Sequence, residues 1–250
     1  MPTRRTFLLG ALSAAVVSAC SKAAHHVTGG SGNGQASPTP APPTIPAPTG
    51  PAQYVPNGPR NRSAVALTFH GSGDPAVTMQ LLDLTARLRA PITVFAVGTW
   101  LEHNPDISGR ILSAGHELAN HTYTHPSLGR LGPLAVSQEI SRCRDVLVAQ
   151  AGNNGRWFRP SGVESQPSSL ILDEAGKAGY ATVVGFDVDP IDYQDPGAST
   201  VVSRVSAGVR SGSIVSLHLG HPGTVAAFER IVGVLRARGL APVVVRDLLR

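Results

Sequence analysis

The feature that most restricts the fold of this chain is a regular alternation of short β-branched runs with segments of helical spacing. Apolar residues recur three and four positions apart between the runs, as they do in amphipathic helices. Strands and helices that alternate in this way build parallel βα units, so an α/β barrel or a doubly wound sheet is expected. The predicted strands cover residues 64–69, 92–97, 116–120, 181–184, 213–217 and 242–245, and the predicted helices cover 77–89, 106–114, 133–151, 168–178, 200–210 and 225–238.

Polar side chains follow several of the predicted strands directly. In folds of parallel βα units, functional groups lie just after the carboxyl ends of the strands, which meet at one face of the molecule. Histidine, carboxylate and arginine at so many strand ends indicate an active site rather than a set of turns. The candidates are His70, Asp74, His121, His125, Arg159, Asp187, Asp189, Asp192, His218 and His221.

His121 and His125 form the strongest local motif. A separation of four residues places both imidazoles on one face of a helical turn, where they can bind one metal ion. A third ligand has to come from another strand end, and His70 or Asp74 can supply it. Two nitrogens and one oxygen with an open fourth position are typical of a hydrolytic zinc site.

Five short motifs resemble, in order and spacing, those of the polysaccharide deacetylases, the NodB-homology or carbohydrate esterase family 4 proteins. The resemblance covers residues 63–249, nearly the whole predicted domain. The histidine pair, with the asparagine before it, is the most specific of the five. The motifs read TFHG at 68–71, HTYTH at 121–125, RPSG at 159–162, DPIDY at 189–193 and VSLH at 215–218.

The resemblance implies a distorted (β/α) barrel that removes N-acetyl groups from an amino-sugar polymer with the help of a divalent metal. Zinc is the expected ion, with cobalt and manganese as alternatives. Matching the motifs residue by residue makes His218 the catalytic acid, Asp192 the carboxylate that orients it, and Arg159 the residue that positions the base. The residues implied to shape the substrate pocket are Tyr193, Leu217 and Pro160.

The first motif departs from the family pattern. The family has two adjacent aspartates there, a base and a metal ligand, whereas this chain has His70 and Gly71. Our leading hypothesis makes Asp74 the metal ligand beside the two histidines and His70 the base, since histidine titrates near neutral pH. A second hypothesis exchanges the two roles. A third makes the domain an inactive glycan-binding module, and a further one keeps the metal but assigns a non-glycan amide or ester as substrate.

The amino-terminal part of the chain predicts export. Residues 1–19 combine Arg4 and Arg5 with a short apolar run, which is typical of a signal peptide and resembles a twin-arginine signal. Residues 17–20 resemble a bacterial lipobox, in which Cys20 is lipidated. Residues 20–60 are rich in Gly, Ser and Pro and predict a linker, followed by the catalytic domain at 61–250. We therefore expect a lipid-anchored protein on the outer face of the bacterial membrane.

The composition excludes one class of partner and leaves oligomeric state open. The formal net charge is +5, and two of the basic residues lie in the predicted signal, so no nucleic-acid partner is expected. Cys20 and Cys143 are the two cysteines of the sequence. With Cys20 lipidated, no disulfide is expected, and the fold has to be held by its core.

Overall fold

The computed structural model describes residues 48–250 and shows an α/β fold of parallel strands and helices. The strands are β1 (Gln53–Val55), β2 (Ala64–Gly71), β3 (Thr93–Ala96), β4 (Glu117–Asn120), β5 (Thr182–Val184), β6 (Ile214–His218) and β7 (Ala241–Val243). The helices are α1 (Pro75–Leu88), α2 (Gly98–His103), α3 (Pro105–Ser113), α4 (Pro133–Ala151), α5 (Ser169–Lys177), α6 (Ala198–Gly208), α7 (Pro222–Ala237) and α8 (Val245–Leu248), with 3₁₀ turns at Leu128–Arg130 and Asp192–Gln194.

The strands form an incomplete barrel. Strands β4, β3, β2 and β6 lie side by side, β7 pairs with the first half of β2, and β1 pairs with β5, all in parallel. Single-residue bridges close part of the gaps, because Phe158 pairs with both Asn120 and Val183, and Val188 pairs with Val215. The distorted barrel predicted from the sequence is confirmed.

Alternation along β2 separates a helix-facing core from a barrel interior. Val65, Leu67 and Phe69 belong to the large cluster that the helices cover, whereas Ala64 and Ala66 belong to the cluster inside the barrel. Successive side chains of a strand point to opposite faces. The next two interior positions are therefore Thr68 and His70, and the strand carries His70 to its carboxyl end.

Helix α1 begins at a cap that the sequence encodes. Asp74 accepts hydrogen bonds from the backbone N–H groups of Ala76 and Val77, and Pro75 occupies the first turn. A carboxylate before a proline is a favourable start for a helix, because it satisfies N–H groups that lack a partner within the helix. This cap fixes where the chain turns after β2.

The folded domain begins earlier than the sequence predicted. Strand β1 and the buried Ala52 lie within the stretch 20–60 that was assigned to the linker, yet β1 pairs with β5 over three residues. Residues 48–60 therefore belong to the domain rather than to a tether. The predicted signal peptide, Cys20 and the rest of the predicted linker lie outside the described residues. Within residues 48–250, no helix is both long and apolar enough to cross a membrane.

Candidate metal and hydrolytic site

Three histidines from two parts of the chain, the end of β2 and the loop after β4, meet at the carboxyl ends of the strands. One ring atom from each of His70, His121 and His125 lies within 4.8 Å of the others. The Nε2 atoms of His121 and His125 are 3.1 Å apart, and the ring centroids of His70 and His121 are 4.3 Å apart. Converging imidazole nitrogens are the donor set that a zinc ion prefers.

The two histidines of the HTYTH motif are brought together by a loop, not by the helical turn that the sequence predicted. Thr122 and His125 have positive φ angles of 69° and 60°, so the chain coils back on itself after β4. The Oδ1 atom of Asn120 accepts a hydrogen bond from the Thr122 N–H and stabilises this turn. The expected pair exists, but its geometry depends on left-handed backbone that spacing alone does not reveal.

The Glu139 carboxylate holds the same loop from outside. It accepts hydrogen bonds from the backbone N–H groups of Tyr123 and Thr124 and from the Thr124 hydroxyl, at 2.7–2.9 Å. Helix α4 carries Glu139, so a rigid element positions the loop. Sequence reasoning missed this residue, because its partners come from a turn that had been predicted to be helical.

His121 is oriented as a metal ligand. Its Nδ1 donates to the backbone carbonyl of Arg159 at 2.8 Å, which leaves Nε2 with a free lone pair toward the cluster. Such a bond to the second nitrogen is the usual way in which proteins fix a ligating histidine. Burial lowers the pKa of His121 and of His70 well below the ordinary value, and burial also lowers the pKa of His125. The lowered pKa values favour the neutral imidazole, the form that binds metal.

Asp74 lies apart from the histidine cluster. Its exposed carboxylate caps helix α1, so the structure does not bring it to His121 and His125 as the leading hypothesis expected. His70, which that hypothesis made the base, occupies the third position of the cluster instead. The Nε2 atom of His70 is 3.0 Å from the Ser216 hydroxyl.

Gly71 has no room for a side chain. A Cβ atom built on Gly71 would lie 2.8 Å from the Cα of Ala96 and 2.8 Å from Cγ1 of Val94. Such distances require a shift of the neighbouring strand, since real Cβ atoms do not approach so closely. The end of β2 is therefore packed for glycine at residue 71.

His218 and Asp192 form a tightly bonded pair beside the cluster. The Nδ1 atom of His218 is 2.8 Å from Oδ1 of Asp192, and Oδ2 accepts from the His218 backbone N–H and from the Thr224 hydroxyl. Asp192 is 1 % exposed, so its charge acts on His218 with little screening. The ring centroids of His218 and His70 are 4.3 Å apart. A histidine oriented by a buried carboxylate is suited to proton transfer.

Arg159 fills the barrel interior beneath the histidines. It donates hydrogen bonds to the Thr68 hydroxyl and to the carbonyl oxygens of Val184 and Gly185, and its guanidinium lies 4.0 Å above the Phe95 ring. Burial lowers the pKa of Arg159 to about 9. None of its hydrogen bonds within the described residues goes to a carboxylate. The resemblance implied that Arg159 positions the base, but residue 70 is a histidine and offers no carboxylate for the guanidinium to bind.

A cavity of about 320 Å³ opens beside the cluster and has the size of a small-ligand site. Pro160 and Tyr193, which were predicted to shape a substrate pocket, line this cavity, and the Tyr193 ring lies 5.0 Å from the His218 ring. Leu217 does not line it, because strand alternation turns this side chain into the helix-facing core. Ser216, which the sequence analysis missed, faces the cavity in its place. The lining residues are His70, His125, Pro160, Gly162, Val163, Glu164, Phe186, Asp189, Tyr193, Ser216 and His218.

Two further candidates lie at the edge of this site. Asp187 pairs with Arg60 at 2.7 Å and accepts from the Ile214 N–H, which gives it a structural role in the barrel. His221 occupies the position just before α7 without a capping hydrogen bond from its side chain, and its Nδ1 is 3.1 Å from Oδ1 of Asp195. The ring centroid of His221 is 6.1 Å from that of His218. Neither side chain belongs to the histidine cluster.

Comparison with known proteins places this architecture in one family. Residues 57–183 match the family described as polysaccharide deacetylase. A chitooligosaccharide deacetylase of Sinorhizobium fredii is 34 % identical over 200 residues, which are 74 % of this chain and 91 % of that protein. A peptidoglycan-N-acetylglucosamine deacetylase of Bacillus cereus is 33 % identical over 196 residues, covering 77 % of this chain and 91 % of the relative.

A solved structure agrees with the sequence comparisons. The structure of the Bc1960 peptidoglycan N-acetylglucosamine deacetylase superimposes with a TM-score of 0.73 at 28 % identity, over 78 % of this chain and 92 % of the other. The fold and site thus define a hydrolase of the α/β barrel class that acts on carbon–nitrogen bonds other than peptide bonds. The chain belongs to the polysaccharide deacetylase family.

Proposed function

We propose that this protein removes N-acetyl groups from an amino-sugar polymer of the cell envelope, such as peptidoglycan, and that it depends on a divalent metal. The observation that carries the proposal is the meeting of the histidine cluster and the Asp192–His218 pair at one cavity. The relatives named above, which act on chitooligosaccharide or peptidoglycan according to their names, support this substrate class.

The metal would be held by His70, His121 and His125, most simply as zinc. Three neutral imidazoles, one of them with its second nitrogen bonded to a carbonyl, fit that ion and leave a coordination position open. When bound, the ion supplies Lewis-acid polarisation and favours ionisation of water. The second hypothesis from the sequence made His70 the metal ligand and Asp74 the base. This ligand set agrees with that hypothesis for His70 only, because Asp74 caps helix α1 instead of facing the site.

His218 would act as the general acid. Deacetylation leaves an amine, which is a poor leaving group until its nitrogen is protonated. The carboxylate of Asp192 bonds Nδ1 and supports the positive charge of the imidazolium, so that Nε2 can deliver a proton into the cavity. Tyr193 and Pro160, which both line the cavity, would contact the sugar and its acetyl group.

Acetate release tests the proposal directly. Protein covering residues 48–250 would be freed of metal with a chelator, reloaded with zinc, cobalt or manganese, and given N-acetylchitooligosaccharides and peptidoglycan. We expect acetate only from the metal-loaded protein. Acetate release that is unchanged after complete removal of metal would contradict the metal requirement.

The remaining hypotheses appear as distinct outcomes of the same experiment. Glycan binding without acetate from any glycan would favour the inactive binding module, which the loss of both family aspartates motivates. Hydrolysis of simple acetyl esters or amides without glycan turnover would favour a non-glycan substrate.

We further propose that the protein is exported and lipid-anchored through Cys20, with residues 20–47 as a tether. The signal-like residues 1–19 and the lipobox at 17–20 support this proposal. Metabolic labelling with palmitate should mark the full chain, and Cys20→Ser should lose the label and leave the membrane fraction. A label that persists in Cys20→Ser would contradict the anchor.

A further inference from the structure

The proposed reaction needs a base that the two expected residues do not supply. His70 is one of the three clustered imidazoles, and the carboxylate of Asp74 caps α1 at the surface. Two carboxylates line the cavity, Glu164 and Asp189. Glu164 is exposed at the rim, whereas Asp189 is half-buried among the residues that face the histidines.

The loop after β5 holds Asp189 in a defined orientation. Its Oδ1 accepts a hydrogen bond of 2.8 Å from the backbone N–H of Ile191, and within the described residues its Oδ2 has no hydrogen-bond partner. Ile191 has a φ angle of 55°, which is rare for a β-branched residue. The strained turn therefore separates two aspartates: Asp189 lines the cavity with one free carboxylate oxygen, whereas both oxygens of Asp192 are bonded to His218 and Thr224.

The surroundings suit Asp189 to accept a proton. Burial raises the pKa of this carboxyl above the ordinary value, which makes its carboxylate a stronger base than one in water. The carboxylate also lies near enough to Arg159 to affect its pKa: burial lowers the pKa of the guanidinium, and the negative charge of Asp189 raises it. Asp189 is therefore a carboxylate that acts electrostatically on the buried Arg159, which has no carboxylate at residue 70.

We propose that Asp189 is the catalytic base of this protein and replaces the aspartate that the first motif lacks. The inference rests on the proposed deacetylase function. A water molecule in the cavity gives one proton to Asp189 as its oxygen bonds to the acetamide carbonyl carbon. The carbon–nitrogen bond then breaks as protonated His218 gives its proton to the nitrogen. The products are the free amine and acetic acid, which ionises. Asp189 then gives its proton to solvent and His218 takes one up from solvent, which restores both residues for the next cycle.

The test compares Asp189→Asn with wild type and with a matched surface variant. Asparagine keeps an oxygen for the Ile191 N–H but cannot accept the proton, so the loop should keep its shape. Asp145→Asn makes the same change on the exposed side of α4, where Asp145 pairs with Arg144. Zinc content, binding of N-acetylchitooligosaccharide and steady-state rates would be measured for all three proteins.

We expect Asp189→Asn to lower kcat by about 100-fold or more, with zinc content and sugar affinity unchanged. Asp145→Asn should match wild type. Added formate should restore part of the rate of Asp189→Ala, because a free carboxylate can occupy the vacated position. An Asp189→Asn protein with wild-type kcat, or one that has lost its zinc, would overturn the assignment.

Failure of the deacetylase proposal would be recognised separately. If the wild type releases no acetate from any glycan, the same three proteins would be compared on 4-nitrophenyl acetate. Ester hydrolysis that is lost in Asp189→Asn alone would keep the base and reject the glycan substrate. Equal ester hydrolysis in all three proteins, or none in any of them, would reject Asp189 as a base.

Discussion

Strand β4 is flanked by two buried histidines that have similar surroundings and different roles. His116 precedes the strand and His121 follows it, and burial lowers the pKa of both. His116 uses both ring nitrogens inside the protein: Nε2 is 2.8 Å from the Thr85 hydroxyl and Nδ1 accepts from the Ile92 N–H at 3.3 Å. His121 uses only Nδ1 in this way and turns Nε2 toward His125.

The difference shows that a shifted pKa does not by itself identify a functional histidine. Desolvation acts on every buried imidazole, whether its hydrogen bonds are complete or not. What separates the two residues is the second nitrogen, which is bonded within the protein at His116 and faces other imidazoles at His121. In barrels of this kind the carboxyl ends of the strands carry chemistry and the amino ends carry stability, and β4 shows both roles within six residues.

Replacing His121 with alanine tests the carboxyl end of β4, where the proposed metal site lies, and should have the largest effect of the changes considered. The variant loses one of three imidazoles, so we expect bound zinc to fall from about one ion per chain to a small fraction, and acetate release to fall by about 100-fold or more. Metal analysis and an acetate assay measure both quantities. His103→Ala, which removes an exposed histidine from α2, is the control. A His121→Ala protein that retains full zinc would remove His121 from the ligand set.

Asp192→Asn tests the same end of the barrel without touching the metal. The asparagine keeps an oxygen for bonding but removes the negative charge that supports a protonated His218, so we expect kcat to fall by about 100-fold at unchanged zinc content. Asp195→Asn, which removes the charge of an exposed aspartate beside His221, should leave kcat within about twofold. Loss of zinc in Asp192→Asn would show that the acid and the metal site are not separable.

Much of the fold was predictable because hydrophobic periodicity and helix caps are local signals. Helix α4 has the predicted bounds, since Pro133 begins it and Gly152, with a φ of 71°, ends it. Strand β1 was missed because three residues among prolines carry no periodicity of their own and pair with a partner far along the chain. The bridges at Phe158 and Val188 are single residues and are too short to leave any pattern.

The sequence predicted which residues belong to the site better than it predicted how they are arranged. Strand alternation, applied to β6, would have placed Ser216 in the cavity and Leu217 in the core, because the interior positions are every second residue up to His218. The Asp74–Pro75 pair before a helical segment was a readable helix cap, and that signal argued against a metal ligand. The positive φ angles of Thr122 and His125 depend on Asn120, Glu139 and their partners, so spacing could not reveal them.

His116→Ala tests the amino end of β4, and it should lower the stability of the fold without changing zinc binding or activity. The variant leaves a cavity and removes the partners of Thr85 and Ile92, which should cost about 2–3 kcal/mol in the free energy of unfolding. Urea unfolding measures this loss, again with His103→Ala as control. Zinc content and acetate release per folded molecule should match wild type. If His116→Ala lost zinc at full stability, the contrast between the two ends of β4 would be wrong.

The change in unfolding free energy caused by His116→Ala should itself depend on pH. This is the smallest effect predicted here, and it reports on the protonation of His116 alone. His116 has its pKa lowered by burial to about 4, against an ordinary value of 6.5, so the unfolded chain takes up its proton first as the pH falls. The stability that neutral His116 contributes is therefore complete above pH 6.5 and is lost between pH 6.5 and about 4. Over that window the difference in unfolding free energy between wild type and His116→Ala should shrink by roughly 2 kcal/mol. The metal-site histidines are common to both proteins and cancel in the difference, so a gap that stays constant would mean that His116 has the same pKa in the folded and in the unfolded chain.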